Sequence, residues 1–336
     1  MGLYQNASKP RFWIPITPYL KQANILTIES DSIDGVKRLI DLDPYNPVKL
    51  PAGQHSIEFR FSDPSWIDES QKYFIGMIGQ KFSTSFLPGM EIIHIYSSPG
   101  GFDGSQFTNP TGFVQYNHGN NAQGLQPEYD GIYLREFNLP HVVDSLIFLI
   151  TTKETFLGSL FIGKVYDSSE IPQSPNSDIN FTRSYNNSKT TTDRGLQYSN
   201  SHYMTNPMAK FYELTENNLN YRSTSNLIQG RSDLRGWDLS YSNINEQNLF
   251  SRSDSMDPVD TDGSSVTDYN FYKDNNVFDQ MIHFTQGDAL PFVFQPDEDN
   301  FMPDQFAVCR FGMPEFKMER DSFNTYKYSI SILEEF

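Results

Sequence analysis

The sequence predicts a mainly β protein, a sandwich or barrel followed by a second β-rich domain with one short helix. Three observations carry this. Aromatic residues make up 15% of the 336 positions, with 27 Phe and 19 Tyr. Aromatic and β-branched side chains favour strands, while the abundant Asn, Asp, Ser, Gly and Pro favour turns. Apolar and polar residues also alternate with period two in short runs, and turn signals separate the runs about every ten residues, the spacing of a sandwich or barrel. At this length, two domains or one core with large insertions is the prior.

Residues 1–24 carry Pro10, Pro15 and Pro18 around Phe12-Trp13-Ile14. This pattern predicts an extended arm and argues against a helix. Exposed aromatics there would meet a neighbouring subunit or cover the chain's own domain. The first domain is expected over 25–166. Its strands are read at Ile25–Ile28, at Ser56–Phe61 with Ile57, Phe59 and Phe61 on one face, and at Tyr73–Gly79, apolar on both faces and therefore central. Further strands are read at Glu91–Tyr96, Gly131–Phe137, Ser145–Ile150 and Leu157–Tyr166, and residues 97–129 read as a long loop insertion. From Asp167 the composition turns polar, and Pro172 and Pro175 mark a boundary to a second domain over 167–336. Strand-like patches appear at Asp178–Arg183, Gly195–Tyr198 and Met208–Leu214. Residues 216–250 fit no single pattern, and 251–270 read as a loop.

The last sixty residues are the most regular. Val277, Phe278, Met281, Ile282 and Phe284 recur at helical offsets, and Gly287 supplies a stop, so the helix is expected over 276–287. Leu290–Phe294, Phe306–Phe311 and Glu315–Glu319 follow as strands. In the final strand Tyr326, Tyr328, Ile330 and Ile332 alternate with Thr325, Lys327, Ser329 and Ser331.

A net charge of −17 argues against nucleic-acid binding, which needs a basic surface. The single cysteine, Cys309, excludes an intrachain disulfide and lies in a buried strand pattern, where core packing outweighs a catalytic thiol. The N-terminus lacks a secretory pattern, and Asn6 stands where myristoylation requires Ser or Thr. No apolar run approaches the roughly 20 residues of a membrane span. The expectation is a soluble chain made in a reducing cytosol, in which the triplets at Asn6, Asn180 and Asn186 stay unglycosylated.

Motifs for chemistry are sparse. His55, His94, His118, His141, His202 and His283 show no metal-ligand spacing. Gly100–Gly104 lies in a polar loop, not between a strand and a helix, and reads as turn chemistry. Around Asp257, Asp260, Asp262 and Gly263 an EF-hand fails, because its first and last ligand positions would be Pro258 and Tyr269. That loop and Asp297–Asp299 read as solvated acidic turns in preference to irregular calcium sites. No enzyme, cofactor or metal is expected. Phe102, Phe107, Phe113, Tyr116 and Tyr129 are candidates for a sugar-stacking platform, weighed against packing of the insertion on its own sheet.

Two blocks carry a resemblance. Phe74–Phe82 and Phe156–Gly163, with the buried run Leu146–Ile150, resemble discoidin-like jelly-roll modules of bacteriophage tail proteins. The C-terminal unit, from an apolar helix ending in Gly to a last strand closing in Leu333-Glu334-Glu335, is similar to the closing segment of distal-tail and minor tail proteins. The resemblance implies a jelly-roll-like sandwich and a tail-type domain in a structural protein of the virion tail, tail tip or baseplate, assembled in the host cytoplasm. Its partners would be other tail proteins and copies of itself, with assembly contacts at Phe12, Trp13, Tyr326 and Tyr328. The alternative is a carbohydrate-binding receptor-recognition module, with a glycan-cleaving enzyme ranked last.

Overall fold

A computed structural model describes residues 9–30, 32–42, 47–62, 72–78, 90–98, 114–116, 132–137, 145–152, 155–167, 180–185, 187–191, 197–201, 233–245, 277–299, 306–312, 318–322 and 325–335. The protein is mainly β and built from antiparallel ladders. In chain order the strands begin with β1 (Arg11–Pro15), β2 (Leu26–Ser30), β3 (Val48–Leu50), β4 (Gly53–Phe61), β5 (Tyr73–Ile78), β6 (Met90–Ser98) and β7 (Val114–Tyr116). Next come β8 (Ile132–Phe137), β9 (Ser145–Thr152), β10 (Thr155–Leu157), β11 (Ser159–Tyr166), β12 (Asn180–Tyr185), β13 (Asn187–Thr191) and β14 (Gln197–Ser201). The series ends with β15 (Asp233–Asn245), β16 (Phe292–Gln295), β17 (Ala307–Phe311), β18 (Met318–Ser322) and β19 (Thr325–Glu334). Helices α1 (Thr17–Gln22) and α2 (Val277–Thr285) and a 3-10 turn at Val36–Ile40 complete the elements. The described chain divides into two compact units, residues 15–165 and a second formed by 9–14, 166–201 and 233–335.

The first unit is a β-sandwich with sheets ordered β11-β5-β8 and β2-β4-β9-β6-β7, plus the short ladder of β3 with β10. All six residues of β5 and all eight of β11 are buried. That explains why both read as continuous apolar runs rather than alternations. Phe59 and Phe148 meet edge to face at 5.0 Å, and Phe74 and Phe161 at 5.9 Å. Gly76 stands directly across from Phe161 in the ladder, and a Cβ there would collide with the Phe161 ring. The glycine is therefore a packing requirement of the sheet.

Helix α1 corrects the expectation that residues 1–24 exclude a helix. Pro18 sits in the first turn, where the missing N–H has no helical partner to lose. Thr17, Pro18 and Leu20 are buried, the helix ends at Gln22, and Asn24 just beyond it is left-handed with a φ of 59°. The stretch 97–129, read as a loop, also contains strand β7, and β6 continues to Ser98. Hairpin geometry sets this register: Ser97, Tyr96 and Ile95 pair with Val114, Gln115 and Tyr116.

The second unit's sheet runs β12-β15-β19-β17-β16-β1, with β18 also on β19. Ladder β13–β14 stands apart. On β19, Tyr328, Ile330 and Ile332 are buried at 0–2% exposure, as the alternation predicts, whereas Leu333 is exposed. Helix α2 covers the apolar face, with the Phe278 ring 5.2 Å from Tyr241 and 4.8 Å from Tyr328. The helix ends in two left-handed residues, Gln286 and Gly287, and Gly287 N donates to Ile282 O at 2.9 Å.

The 13-residue β15 lies in the stretch that gave no pattern. Its inward Trp237, Leu239 and Tyr241 do alternate, but Gly236 and Asp238 interleave them, and a register shift between Tyr241 and Ile244, with Asn243 at φ 57°, breaks the period. Near the other end of β15, Arg235 pairs with Glu334 on the core face, at side-chain exposures of 3% and 0%. Its Nε and Nη2 donate to the two carboxylate oxygens at 3.1 and 3.0 Å, its backbone N–H donates to Oε2 at 2.8 Å, and Nη2 also reaches Phe306 O at 3.0 Å. The guanidinium lies over the Trp237 ring at 5.2 Å.

Two stability outcomes follow. Gly76→Ala should cost about 1–3 kcal/mol in urea unfolding, because the Phe161 ring must leave its well. Arg235→Met or Glu334→Leu alone should cost about 3–5 kcal/mol by stranding a buried charge, whereas the double variant should restore most of the loss.

Candidate functional site

A recognition site on a β-sandwich draws on what its edges and outward faces display. In the five-stranded sheet of the first unit, β2 and β7 are the two edge strands among the described residues. Tyr116 is its last residue, paired with Ile95. Residues 99–113 join β6 to β7, and 117–131 lead from β7 to β8. Phe102, Phe107, Phe113 and Tyr129 fall in these connections and lie outside the described residues. Of the five candidate aromatics, Tyr116 is the one placed by a strand ladder.

The four residues assigned to assembly fare differently. Phe12 and Trp13 are 0% and 2% exposed, in β1 paired with β16, so this part of the arm is core of the chain itself. Phe12 packs against Phe294 at 5.2 Å, and Trp13 Nε1 donates to Gln295 Oε1 at 3.1 Å. Arg11 stacks on Trp13 and pairs with the nearly buried Asp167. Tyr328 is fully buried against Phe278, and Tyr326 is half-buried between Ile244 and Arg320 in the ladders. Phe12, Trp13 and Tyr328 therefore have no surface to offer a partner in this fold.

The other sequence candidates are equally plain. Cys309 is buried, and burial pushes its thiol well above the ordinary range, which disfavours the reactive thiolate. In the acidic turn, Asp299 pairs with Lys9 at 2.7 Å, and its N–H donates to Asp297 Oδ1 at 3.1 Å. Asp257–Gly263 lies outside the described residues. Among the described residues no group of three or more His, Cys, Asp or Glu could hold a metal ion. His283, half-buried on α2, is held below its usual range by burial, partly offset by Asp279.

Two polar clusters escaped the sequence reading: one lies on a single strand, where only burial makes it notable, and the other is joined through the ladder. On β4, Ser56, Glu58 and Arg60 share the face opposite Ile57 and Phe59. Glu58 is buried, and Arg60 grips it with Nε–Oε1 at 3.2 Å and Nη2–Oε2 at 3.1 Å. Burial raises the Glu58 carboxyl above its usual range, with Arg60 opposing and Glu29 adding to the rise. Where β2 runs out, Ser32 and His55 form a second cluster with the Pro51 carbonyl.

The Glu58 shift fixes a sign. Its folded-state pKa lies above the unfolded one, so the folded state favours the protonated acid. The stabilising contribution is complete below the unfolded pKa and is lost as pH rises through the folded one. Glu58→Gln, a neutral stand-in, should therefore gain stability relative to the parent between pH 4 and pH 7, as read from urea midpoints at both pH values.

No family model matches the sequence, and no curated protein matches it. Among solved structures the chain is similar to CpGH89CBM32-6 produced by Clostridium perfringens, at 14% identity over 42% of this chain and 94% of that one, with a TM-score of 0.28. It is also similar to a truncated AlyQ with CBM32 and alginate lyase domains, at 10% identity over 70% of this chain, with a TM-score of 0.26. The chain spans about half of that structure's length, 49%. At these scores neither likeness carries an argument about function, and neither gives the phage-tail resemblance support.

Proposed function

We propose that the protein is a carbohydrate-recognition protein that uses the β7 edge of its first unit, without catalysing sugar cleavage there. One observation carries this reading: Phe102, Phe107, Phe113 and Tyr129 flank, along the chain, the edge strand that ends in Tyr116, in a Gly-, Asn- and Gln-rich stretch. Flat rings offer apolar faces to sugar C–H groups, and neighbouring amides and hydroxyls pair with sugar hydroxyls. The charge of −17 narrows the ligand class, because it repels polyanionic chains at low ionic strength and favours neutral or amino-sugar glycans.

A structural role in a virion tail is the second reading. It is favoured by the short edge strand β18, whose residues 319–322 are all exposed. Charged Glu319, Arg320 and Asp321 on that edge oppose indiscriminate strand addition, as expected of an edge meeting a chosen partner.

A glycan array separates the two. The carbohydrate reading expects binding to neutral glycans that is lost in Phe102→Ala and Tyr116→Ala variants of unchanged melting temperature. An array without binding, together with a solution mass several times that of the 38.6 kDa chain, would overturn it in favour of assembly.

A further inference from the structure

We infer that Ser32 and His55 form a nucleophile–base pair able to open small carboxylic esters by acyl transfer to water. The inference is independent of the glycan reading.

The pair is made by strand register. Ser30, at the end of β2, stands opposite Ile57, so two residues further on the chain brings Ser32 beside His55 of β4. Ser32 Oγ lies 2.7 Å from His55 Nδ1, and His55 Nε2 lies 2.7 Å from the Pro51 carbonyl oxygen. A carbonyl oxygen only accepts, so Nε2 must carry the proton. In the neutral imidazole Nδ1 is then a bare lone pair, and the Ser32 hydroxyl donates to it. Both distances match those expected between an activated nucleophile, its base and the group that orients the base. An amide carbonyl fills the orienting role in Cys-His-Asn arrangements, so the Pro51 carbonyl can serve as the orienting group.

Burial divides the parts usefully. His55 is 4% exposed and fixed at both nitrogens, which locks its tautomer and ring orientation, whereas Ser32 is exposed and reachable from solvent. Nearby, Ser30 Oγ donates to Ser56 O at 2.6 Å and tethers the end of β2 to β4, holding the approach of Ser32 to the ring.

The chemistry balances with water as the second reactant. Ser32 Oγ attacks the ester carbonyl as its proton passes to Nδ1. The C–O bond to the leaving alcohol breaks, and that oxygen takes the proton from His55. Water then attacks the acyl-serine, giving its proton to Nδ1. Ser32 Oγ departs and recovers the proton, releasing the carboxylic acid. The surface position of Ser32 suits small acyl groups such as acetyl.

The test is labelling of the full chain with a fluorophosphonate probe, with the site mapped by mass spectrometry. Ser32 should react at least about 100-fold faster in the folded chain than in urea, the factor a positioned general base contributes. His55→Gln should lose a comparable factor, and Ser32→Ala should lose the adduct altogether. Ser32 reacting no faster than in urea, or at an unchanged rate in folded His55→Gln, would overturn the inference. Should His55→Gln fail to fold, the comparison of folded with urea-unfolded parent decides alone.

Discussion

The Arg235–Glu334 ion pair fixes how β15 and β19 of the second unit meet. Two charges are held on the core face of a sheet, where an unpaired one is costly, so β15 and β19 can adopt only the register that brings residue 235 opposite 334. That register sets Trp237 against Ile332, Leu239 against Ile330 and Tyr241 against Tyr328, and so forms the apolar floor on which Phe278 of α2 rests. A slip of one residue would turn this floor to the other face of the sheet. The pair thus contributes registry as well as attraction, and its backbone and Phe306 hydrogen bonds satisfy polarity that would otherwise oppose burial.

How much of this was legible depends on whether a signal is local. Strand β19 shows clean alternation and β5 a continuous apolar run, because each strand's own burial is written in its own residues. Helix α2 announced itself by its period and its Gly287 stop. Strand β15 did not, since its inward residues are interrupted by a bulge and by small polar residues whose partners lie about ninety positions away. Helix α1 is hidden because Pro18 signals a breaker by itself, whereas the first turn is the one place a helix accepts it.

The sites follow the same rule. The aromatic-rich insertion stands out by composition, and the fold adds that it contains the edge strand β7. Phe12 and Trp13 suggest adhesive surface by composition, yet two large rings beside prolines serve equally well as a buried strand of the core, and β16 uses them so. Glu58 and Arg60 are common residues made notable by the burial of the carboxylate, and Ser32 and His55 by a ladder that no spacing encodes. The glycan reading of the first unit thus rests on residues whose signal is composition, while the second unit is dominated by packing and by its buried charge pair.

Hydrogen–deuterium exchange of the full chain, with and without a neutral glycan that binds on an array, addresses the central claim most directly. The account predicts slowed exchange confined to residues 97–129 and the paired β6 and β7 amides, with β15 and β19 unchanged. Protection appearing along β18 and β19, or none in 97–129, would contradict it.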